Sequence, residues 1–308
     1  MPNTINSLEF KSQLTGELDK AIVMPSVAAM FLDNAFRTKF VGTKDVIIPD
    51  VNFVGLADYD REDGFARGGV TVQHSTYTLT QDRGRSFSID REDMDETGIA
   101  GLAGQVMGEF VRTEVAPEID AYTFSKLAKI ATDNQNIVST ETFGANKSFK
   151  LVSDAINKVQ GEIGFDTELV ALVNSEVWAD LMATSEISRS LEIGDFAKGE
   201  INTKVKKLNG TAIIPVPAAR MKTVYEFATN EASTSEGGFT VGEGAKEIGL
   251  LILPKRAAKL IKKTEKVRVF NPDINQEKDA YKFDYRIYYD ALVKASDKKS
   301  IWTYTYSK

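Results

Sequence analysis

The chain of 308 residues contains no cysteine, which excludes disulfides, thiolate metal sites and cysteine nucleophiles. The chain has a single histidine, His74, so the sequence supports neither a histidine-based catalytic triad nor a metal site with several histidine ligands. No segment approaches the roughly 18–20 apolar residues of a membrane span. The best apolar run, 21–32, is interrupted by Pro25 and Ser26. These absences argue against thiol enzymes, histidine-based hydrolases and membrane-spanning proteins.

The charge balance is mildly acidic, with 38 Lys and Arg against 44 Asp and Glu and a net charge of −6. A dedicated nucleic-acid binder usually shows a basic footprint, so this balance argues against one. Hydrophobic residues make up 42% of the chain, which is enough for a core. The length predicts two domains or one elaborate domain.

The longest regular pattern predicts one helix over about 95–133. Its apolar residues recur three or four positions apart, which is the period of a helix with one buried stripe. Acidic residues surround its start, where they suit the positive end of the helix dipole. Pro117 cannot donate a hydrogen bond to the carbonyl of Thr113, so the pattern predicts a bend there.

Two short strand patterns precede this helix, at 70–80 and 85–90, on either side of Asp82-Arg83-Gly84. Asp-Arg-Gly is typical of a tight turn, so the sequence predicts a β-hairpin with its tip at these residues. The strands have few large apolar side chains, and a two-stranded hairpin is marginal in water. We therefore expect the hairpin to lie on another surface, and a second subunit is the natural candidate.

The remaining chain predicts a compact block of mixed helices and strands over about 148–255, followed by strands. Asn209-Gly210 between two apolar runs is a strong hairpin signal. In the tail, residues 283–289 and 301–306 alternate between apolar and polar side chains, which is typical of antiparallel strands with one face to cover. The long helix is the expected cover. The predicted fold class is α+β.

The sequence motifs that could indicate metal binding, catalysis or phosphate binding are weak. The acids Asp58, Asp60, Glu62 and Asp63 do not match the glycine and glutamate positions of a calcium loop. The carboxylates of Asp90, Glu92, Asp93 and Asp95 leave a carboxylate-based hydrolase open, although the start of a helix explains them more simply. The basic run over 255–268 lacks interleaved aromatic residues, so a solvated strand face is favoured over a phosphate contact.

The order of these parts, together with two stretches, resembles a known family. The stretches are 77–90, Tyr-Thr-Leu-Thr-Gln-Asp-Arg-Gly-Arg-Ser-Phe-Ser-Ile-Asp, and 110–122, Phe-Val-Arg-Thr-Glu-Val-Ala-Pro-Glu-Ile-Asp-Ala-Tyr. They are similar to the extended loop and spine helix of the major capsid proteins of tailed bacteriophages, which have the Hong Kong 97-type capsid fold. The match in motif is confined to about 70–130, while the order of parts covers nearly the whole chain.

The resemblance implies a division of the chain into five parts. Residues 1–55 form an N-terminal arm and 56–96 an extended β-hairpin loop that reaches over a neighbouring subunit. Residues 97–147 hold the spine helix of the peripheral domain. An inserted axial domain follows at 148–255, and 256–308 return as peripheral-domain strands.

The resemblance also implies a function. It is a structural role, not an enzymatic one: the chain assembles as hexamers and pentamers into an icosahedral shell around double-stranded DNA, without a cofactor or metal. The arm begins almost at Met1, so a separate scaffold protein is expected, together with a portal and, optionally, a decoration protein. The expected location is the virion, after assembly in the host cytoplasm. A bacterial nanocompartment (encapsulin-like) shell, a carboxylate-based hydrolase and a nucleic-acid-binding protein remain as alternatives.

Some family members join their subunits through an isopeptide bond from a lysine in the extended loop. This chain has no lysine between Lys44 and Lys126, which predicts a shell held by noncovalent contacts. Arg83 and Arg85, at the predicted hairpin tip, are expected to form bidentate pairs with carboxylates of a neighbour. The predicted intersubunit contact residues are Arg61, Tyr77, Asp82, Arg83, Arg85 and Phe87.

Overall fold

The structure is a computed structural model that describes residues 26–32, 39–42, 44–59, 61–62, 68–92, 102–140, 143, 147–183, 191–198, 201–229 and 237–307. Its helices are α1 (Leu102–Phe110), α2 (Ala116–Asp133), α3 (Ser148–Ile163) and α4 (Ser175–Ala183). Its strands are β1 (Lys39–Val41), β2 (Asp45–Phe53), β3 (Val70–Thr78), β4 (Gln81–Asp90), β5 (Ile137–Thr140), β6 (Leu169–Asn174), β7 (Leu191–Lys198), β8 (Ile201–Leu208), β9 (Thr211–Val216), β10 (Tyr225–Phe227), β11 (Phe239–Val241), β12 (Glu247–Pro254), β13 (Ala258–Phe270), β14 (Ala280–Val293) and β15 (Trp302–Tyr306).

The predicted long helix is present as α1 and α2, joined by a π-helical turn at Val111–Val115. In this turn the backbone N–H of Ala116 donates to the carbonyl of Val111, five residues back. The wider turn comes directly before Pro117, whose ring and missing N–H disfavour a regular α-helical turn. This π-helical turn lies where the sequence predicted a bend, and the bend itself stays a prediction. The predicted start at Asp95 lies outside the described residues.

The helix covers one face of an antiparallel sheet with the order β13-β14-β4. Alternate residues of β14 are buried on that face, which confirms the period of two seen in the sequence; they are Phe283, Tyr285, Ile287 and Tyr289. The same core cluster contains Val115, Ile119, Phe124 and Leu127 from the helix. The helix and β14 are about 160 residues apart in the sequence. They nevertheless pack together in one sheet-and-helix unit.

The predicted hairpin at Asp82-Arg83-Gly84 is wrong. These residues lie within β4, which pairs with β14, while β3 pairs with β2. Gly84 does not form a turn. A Cβ at this position would lie 2.9 Å from the carbonyl oxygen of Tyr285, so the glycine allows the β14 backbone to approach closely.

A mixed seven-stranded sheet has the order β5-β15-β12-β6-β9-β8-β7. The predicted hairpin turn at Asn209-Gly210 is confirmed, and both residues have positive φ, 50° and 78°, as a type I′ turn requires. The final strand differs from the prediction. β15 pairs with β12 and β5, and Trp302, Tyr304 and Tyr306 pack in the core of this sheet beside α3 instead of facing the long helix.

A buried carboxylate joins three distant parts of the chain. Asp120, on α2, is fully buried and accepts hydrogen bonds from Ser26 Oγ at 2.7 Å, Ala28 N–H at 2.8 Å and Val27 N–H at 3.0 Å. The guanidinium of Arg220 also reaches it at 3.0 Å. Burial raises the pKa of Asp120, and these donors oppose the rise. These hydrogen bonds fix the 3₁₀ turn at Ala28–Phe31 in the core, where all four of its residues are buried.

We expect Asp120→Ala to lower the free energy of unfolding by about 3–5 kcal/mol, because it removes the carboxylate that the buried donors of Ser26, Val27 and Ala28 contact. Denaturant unfolding of the purified chain measures this. Asp154→Ala, which removes an exposed aspartate from α3, is the matched control and should change stability by no more than about 0.5 kcal/mol. Equal effects of the two substitutions would contradict a special role for Asp120.

Candidate assembly surfaces

Strands β2 and β3 form an antiparallel ribbon, which pairs from Asp45 with Thr78 to Phe53 with Val70, and the short strand β1 pairs with the base of β2. At its base, Val46 and Ile48 are buried against Ile261 and Tyr288 of the β13-β14-β4 sheet, called the peripheral sheet below. The distal half is different, because residues 70–74 are exposed on both faces of the ribbon. A ribbon with so few contacts is not stable on its own in water, so this half requires another surface.

Exposed large apolar side chains concentrate on this ribbon and its tip. Their exposed fractions are 75% for Phe53, 68% for Val54, 107% for Leu56, 59% for Tyr59, 60% for Val70 and 55% for Val72. Scattered surface apolar residues are normal, but a group of them on one protruding element marks an interaction site.

The two faces of the distal ribbon differ in character. Val70 and Val72 lie on one face, and Phe53 is the direct partner of Val70 on that face. The alternate positions of β3, Thr71 and Gln73, point to the opposite face because successive side chains of a strand alternate. One face is therefore apolar and the other polar, which indicates that the apolar face is the one buried by a partner.

The structure places Arg83 inside the chain. Its Nε donates to Glu118 Oε1 at 2.6 Å and its Nη2 to Glu118 Oε2 at 3.2 Å, so the predicted bidentate pair exists. The carboxylate, however, belongs to α2 of the same chain and not to a neighbour, which corrects the prediction. Arg83 also donates to the carbonyls of Ala228 and Gly238, at the two ends of the segment between β10 and β11.

Three other predicted contact residues also have partners within the chain. Asp82 accepts two hydrogen bonds from the Arg286 guanidinium, which lowers the pKa of Asp82. The ring of Phe87 stacks on Phe283 at 5.5 Å between centroids. Tyr77 is half-buried beside the apolar cluster at the ribbon base. These residues therefore contribute to the packing of the chain itself.

Arg61, Asp82 and Arg85 are the exposed members of the predicted set, and of these Asp82 pairs with Arg286. Arg61 lies at the tip of the ribbon, between β2 and β3. Arg85 extends from β4 toward Gly237, where an added Cβ would lie 2.9 Å from its Nη1. Of these two arginines, Arg61 lies on the protruding ribbon and Arg85 does not.

A second buried carboxylate, Asp290, fixes the root of the ribbon. It accepts hydrogen bonds from the Thr80 N–H at 3.1 Å, the Tyr122 hydroxyl at 2.9 Å and the ammonium group of Lys126. Burial, followed by the charge of Asp290, raises the pKa of Tyr122. Sequence reasoning missed Asp290, although an aspartate between Tyr289 and Ala291 in a buried strand was a visible signal for an internal polar network.

The acids that left a carboxylate-based hydrolase open in the sequence do not line the groove beside Met30. Asp90 and Glu92 are exposed, and Asp93 and Asp95 lie outside the described residues. A groove of about 500 Å³ beside Met30 is lined by other side chains and includes neither Asp90 nor Glu92. Within the described ranges no cluster of three or more potential metal ligands occurs, and no helix is long and apolar enough to cross a membrane.

We expect Arg83→Ala to lower the free energy of unfolding by about 2–4 kcal/mol, because it leaves Glu118 and two carbonyls without their charged donor. The matched control Arg85→Ala removes an exposed arginine from the same strand and should have little effect. Denaturant unfolding distinguishes them. If neither substitution changes stability but both prevent oligomerisation, the original prediction of pairing with a neighbour is favoured instead.

Comparison with known proteins adds evidence about the fold. No protein-family model and no curated protein sequence matches the chain. Among solved structures, the mature capsid of bacteriophage PhiM1 superposes with a TM-score of 0.54 at 13% identity, covering 86% of this chain and 83% of that chain. The capsid of cyanophage P-SCSP1u gives 0.54 at 12% identity, covering 90% and 91%.

A virus-like particle from Pyrococcus furiosus also superposes with a TM-score of 0.54, at 10% identity and with coverage of 96% of this chain and 100% of that chain. Such low identities establish likeness of fold. With its long helix on an antiparallel sheet, its mixed seven-stranded sheet and its protruding ribbon, the chain has the Hong Kong 97-type capsid fold.

Proposed function

We propose that this chain is the major subunit of an icosahedral shell that encloses double-stranded DNA, built from hexamers and pentamers. The exposed apolar face of the β2–β3 ribbon is the observation that carries the proposal, because a chain with this fold and no partner would leave that face in water. Many identical contacts of this kind sum to a stable closed shell. The role is structural, and the shell lies in the virion after assembly in the host cytoplasm.

The contacts are noncovalent in this proposal. The ribbon and its tip, residues 45–78, contain no lysine, so an isopeptide bond cannot start from this element. The cations that it does contain are Arg61 and Arg67, which act through hydrogen bonds and charge. A separate scaffold protein, a portal and a decoration protein are further partners under the same proposal.

The division into an arm, an extended loop, a spine, an axial domain and peripheral strands belongs to the same proposal, with one change. The β2–β3 pairing supports an extended loop over about 45–78 instead of 56–96. β4 then belongs to the peripheral sheet, where it pairs with β14. The pairing of β15 with β12 and β5 supports grouping the last strand with the large sheet.

A nanocompartment shell is the second candidate function. The likeness to a virus-like particle from Pyrococcus furiosus, over 96% of this chain, supports a closed shell and does not favour this candidate over the phage shell. Both candidates require closed particles, and they differ in the contents of those particles.

We expect the purified chain, alone or with a scaffold, to form closed particles or rings of five and six subunits. Light scattering followed by electron microscopy tests this. Nuclease-protected double-stranded DNA in particles from infected cells would support the phage shell, and particles filled with protein would support the nanocompartment. A monomer at all concentrations, also in the presence of crowding agents, would contradict both.

We expect replacement of Phe53, Val70 and Val72 by serine to prevent particle assembly while leaving monomer unfolding nearly unchanged, because these side chains are exposed in the single chain. Thr71→Ser with Gln73→Ser, on the opposite face of the same ribbon, is the matched control and should assemble normally. The fraction of protein that sediments as particles measures both. Normal assembly of the triple variant would show that this face is not a contact.

A further inference from the structure

The only histidine of the chain, His74, lies on β3 in the distal half of the ribbon, and its side chain is exposed. Because successive side chains of a strand alternate, His74 shares a face with Val70 and Val72. In the antiparallel register it lies directly opposite Pro49, just as Val70 lies opposite Phe53. His74 is therefore at the inner end of the apolar face that the proposed function buries against another copy.

Few charged residues lie near His74 in the paired strands. On its face the nearest acid is Asp45, four positions along the register or about 13 Å at 3.3 Å per residue, and this acid accepts a hydrogen bond from the Thr78 hydroxyl. Asp50 belongs to the neighbouring pair of the register, and Lys39 on β1 pairs with β2 two positions closer to the base. Neighbouring pairs of a ladder point to opposite faces, so none of these positions provides an anion beside His74 on its own face.

The physical consequence of this location depends on the charge of the imidazole. Histidine is the side chain whose charge ordinarily changes between about pH 5 and 8. A neutral imidazole enters an apolar contact at moderate cost, whereas burial of a protonated one is expensive unless an anion pairs with it. Pro49, the direct neighbour of His74, supplies no such anion. The apolar face thus accommodates only one of the two charge states well.

We propose that His74 makes the ribbon contact between copies of this chain dependent on pH, because the contact forms with the neutral imidazole and is opposed by the protonated one. This inference rests on the proposed function, since it names a regulation of the same contact. The free subunit binds a proton that the assembled subunit releases, so assembly strengthens as the pH rises. For a histidine that titrates near pH 6.5 in water, the association constant of each contact changes by about tenfold between pH 5.5 and 7.5.

Two other roles of His74 predict a different pH profile. A histidine at the wet edge of the contact keeps its water in the assembled shell, and its protonation then leaves assembly unchanged. A protonated histidine that pairs with a carboxylate of the neighbouring copy strengthens assembly as the pH falls. The sign of the pH effect therefore distinguishes burial in an apolar contact from both alternatives.

The experiment measures the protein concentration at which half of the chain sediments as particles, at about pH 5.5 and about pH 7.5. For the unaltered chain we expect this concentration to be about tenfold higher at the lower pH, because each subunit contributes one ribbon. For His74→Gln, whose side chain stays neutral, we expect the same concentration at both pH values. For His74→Lys, which stays charged, we expect weak assembly at both.

Gln73→Lys is the matched control. It introduces a positive charge at the adjacent position of β3, on the opposite face of the ribbon, and should assemble with the pH profile of the unaltered chain. Since the chain has no second histidine, a pH effect that persists in His74→Gln has another origin. Thermal unfolding of each variant at both pH values shows that the subunit itself remains folded.

The outcomes separate this inference from the proposed function. Assembly that is equal at the two pH values, or stronger at the lower one, would overturn the inference and leave the shell function intact. A pH dependence that His74→Gln retains would also overturn it, as would efficient assembly of His74→Lys. Failure of the unaltered chain to form particles at either pH would instead contradict the proposed function.

Discussion

The buried carboxylate of Asp290 sets the point at which the ribbon leaves the body of the molecule. A carboxylate removed from water costs several kcal/mol unless donors surround it, so its partners are required and their positions are restricted. Those partners come from Thr80, at the junction of β3 and β4, and from Tyr122 and Lys126 on α2. The network therefore ties the strand junction to the long helix and to the sheet.

The fixed junction explains why two successive strands have different partners. Leu79 is buried in the apolar cluster at the ribbon base, and Thr80 is held by Asp290, so the chain changes direction between them. β3 continues outward with β2, while β4 enters the peripheral sheet beside β14. The pair Arg83–Glu118 then holds β4 against the helix from the other side. The contacts of Leu79 and Thr80 therefore fix the direction in which the ribbon leaves the body of the molecule.

Local sequence signals predicted the elements whose stability is local. The helix period, the alternation along β14 and the Asn209-Gly210 turn each follow from residues within a few positions of one another. The choice of strand partner depends on residues far apart in the sequence, and the predicted pairing of β3 with β4 was wrong. Asp82-Arg83-Gly84 has the composition of a turn, but the glycine serves the close approach of β14, about 200 residues later. Neither the spacing of nearby residues nor their conformational propensity indicates a contact with a strand so far along the sequence.

The same limit applied to the candidate contact residues. Arginines near a presumed tip suggested a neighbour's carboxylate, yet Glu118 and the carbonyls of Ala228 and Gly238 surround Arg83. The apolar residues Phe53, Val70 and Val72 were visible in the sequence, but their exposure on one face of a ribbon was not. A buried group such as Asp120 or Asp290 is recognised only when the chain that surrounds it is known.

The apolar face of the ribbon is small, and this suits repeated assembly. Burying three side chains such as Phe53, Val70 and Val72 contributes roughly 1.5–3 kcal/mol each, before the cost of ordering the ribbon is subtracted. A contact of this size is weak for one pair of subunits, so a misplaced subunit can dissociate. In a closed shell the same contact recurs at every subunit, and the sum makes the complete particle stable.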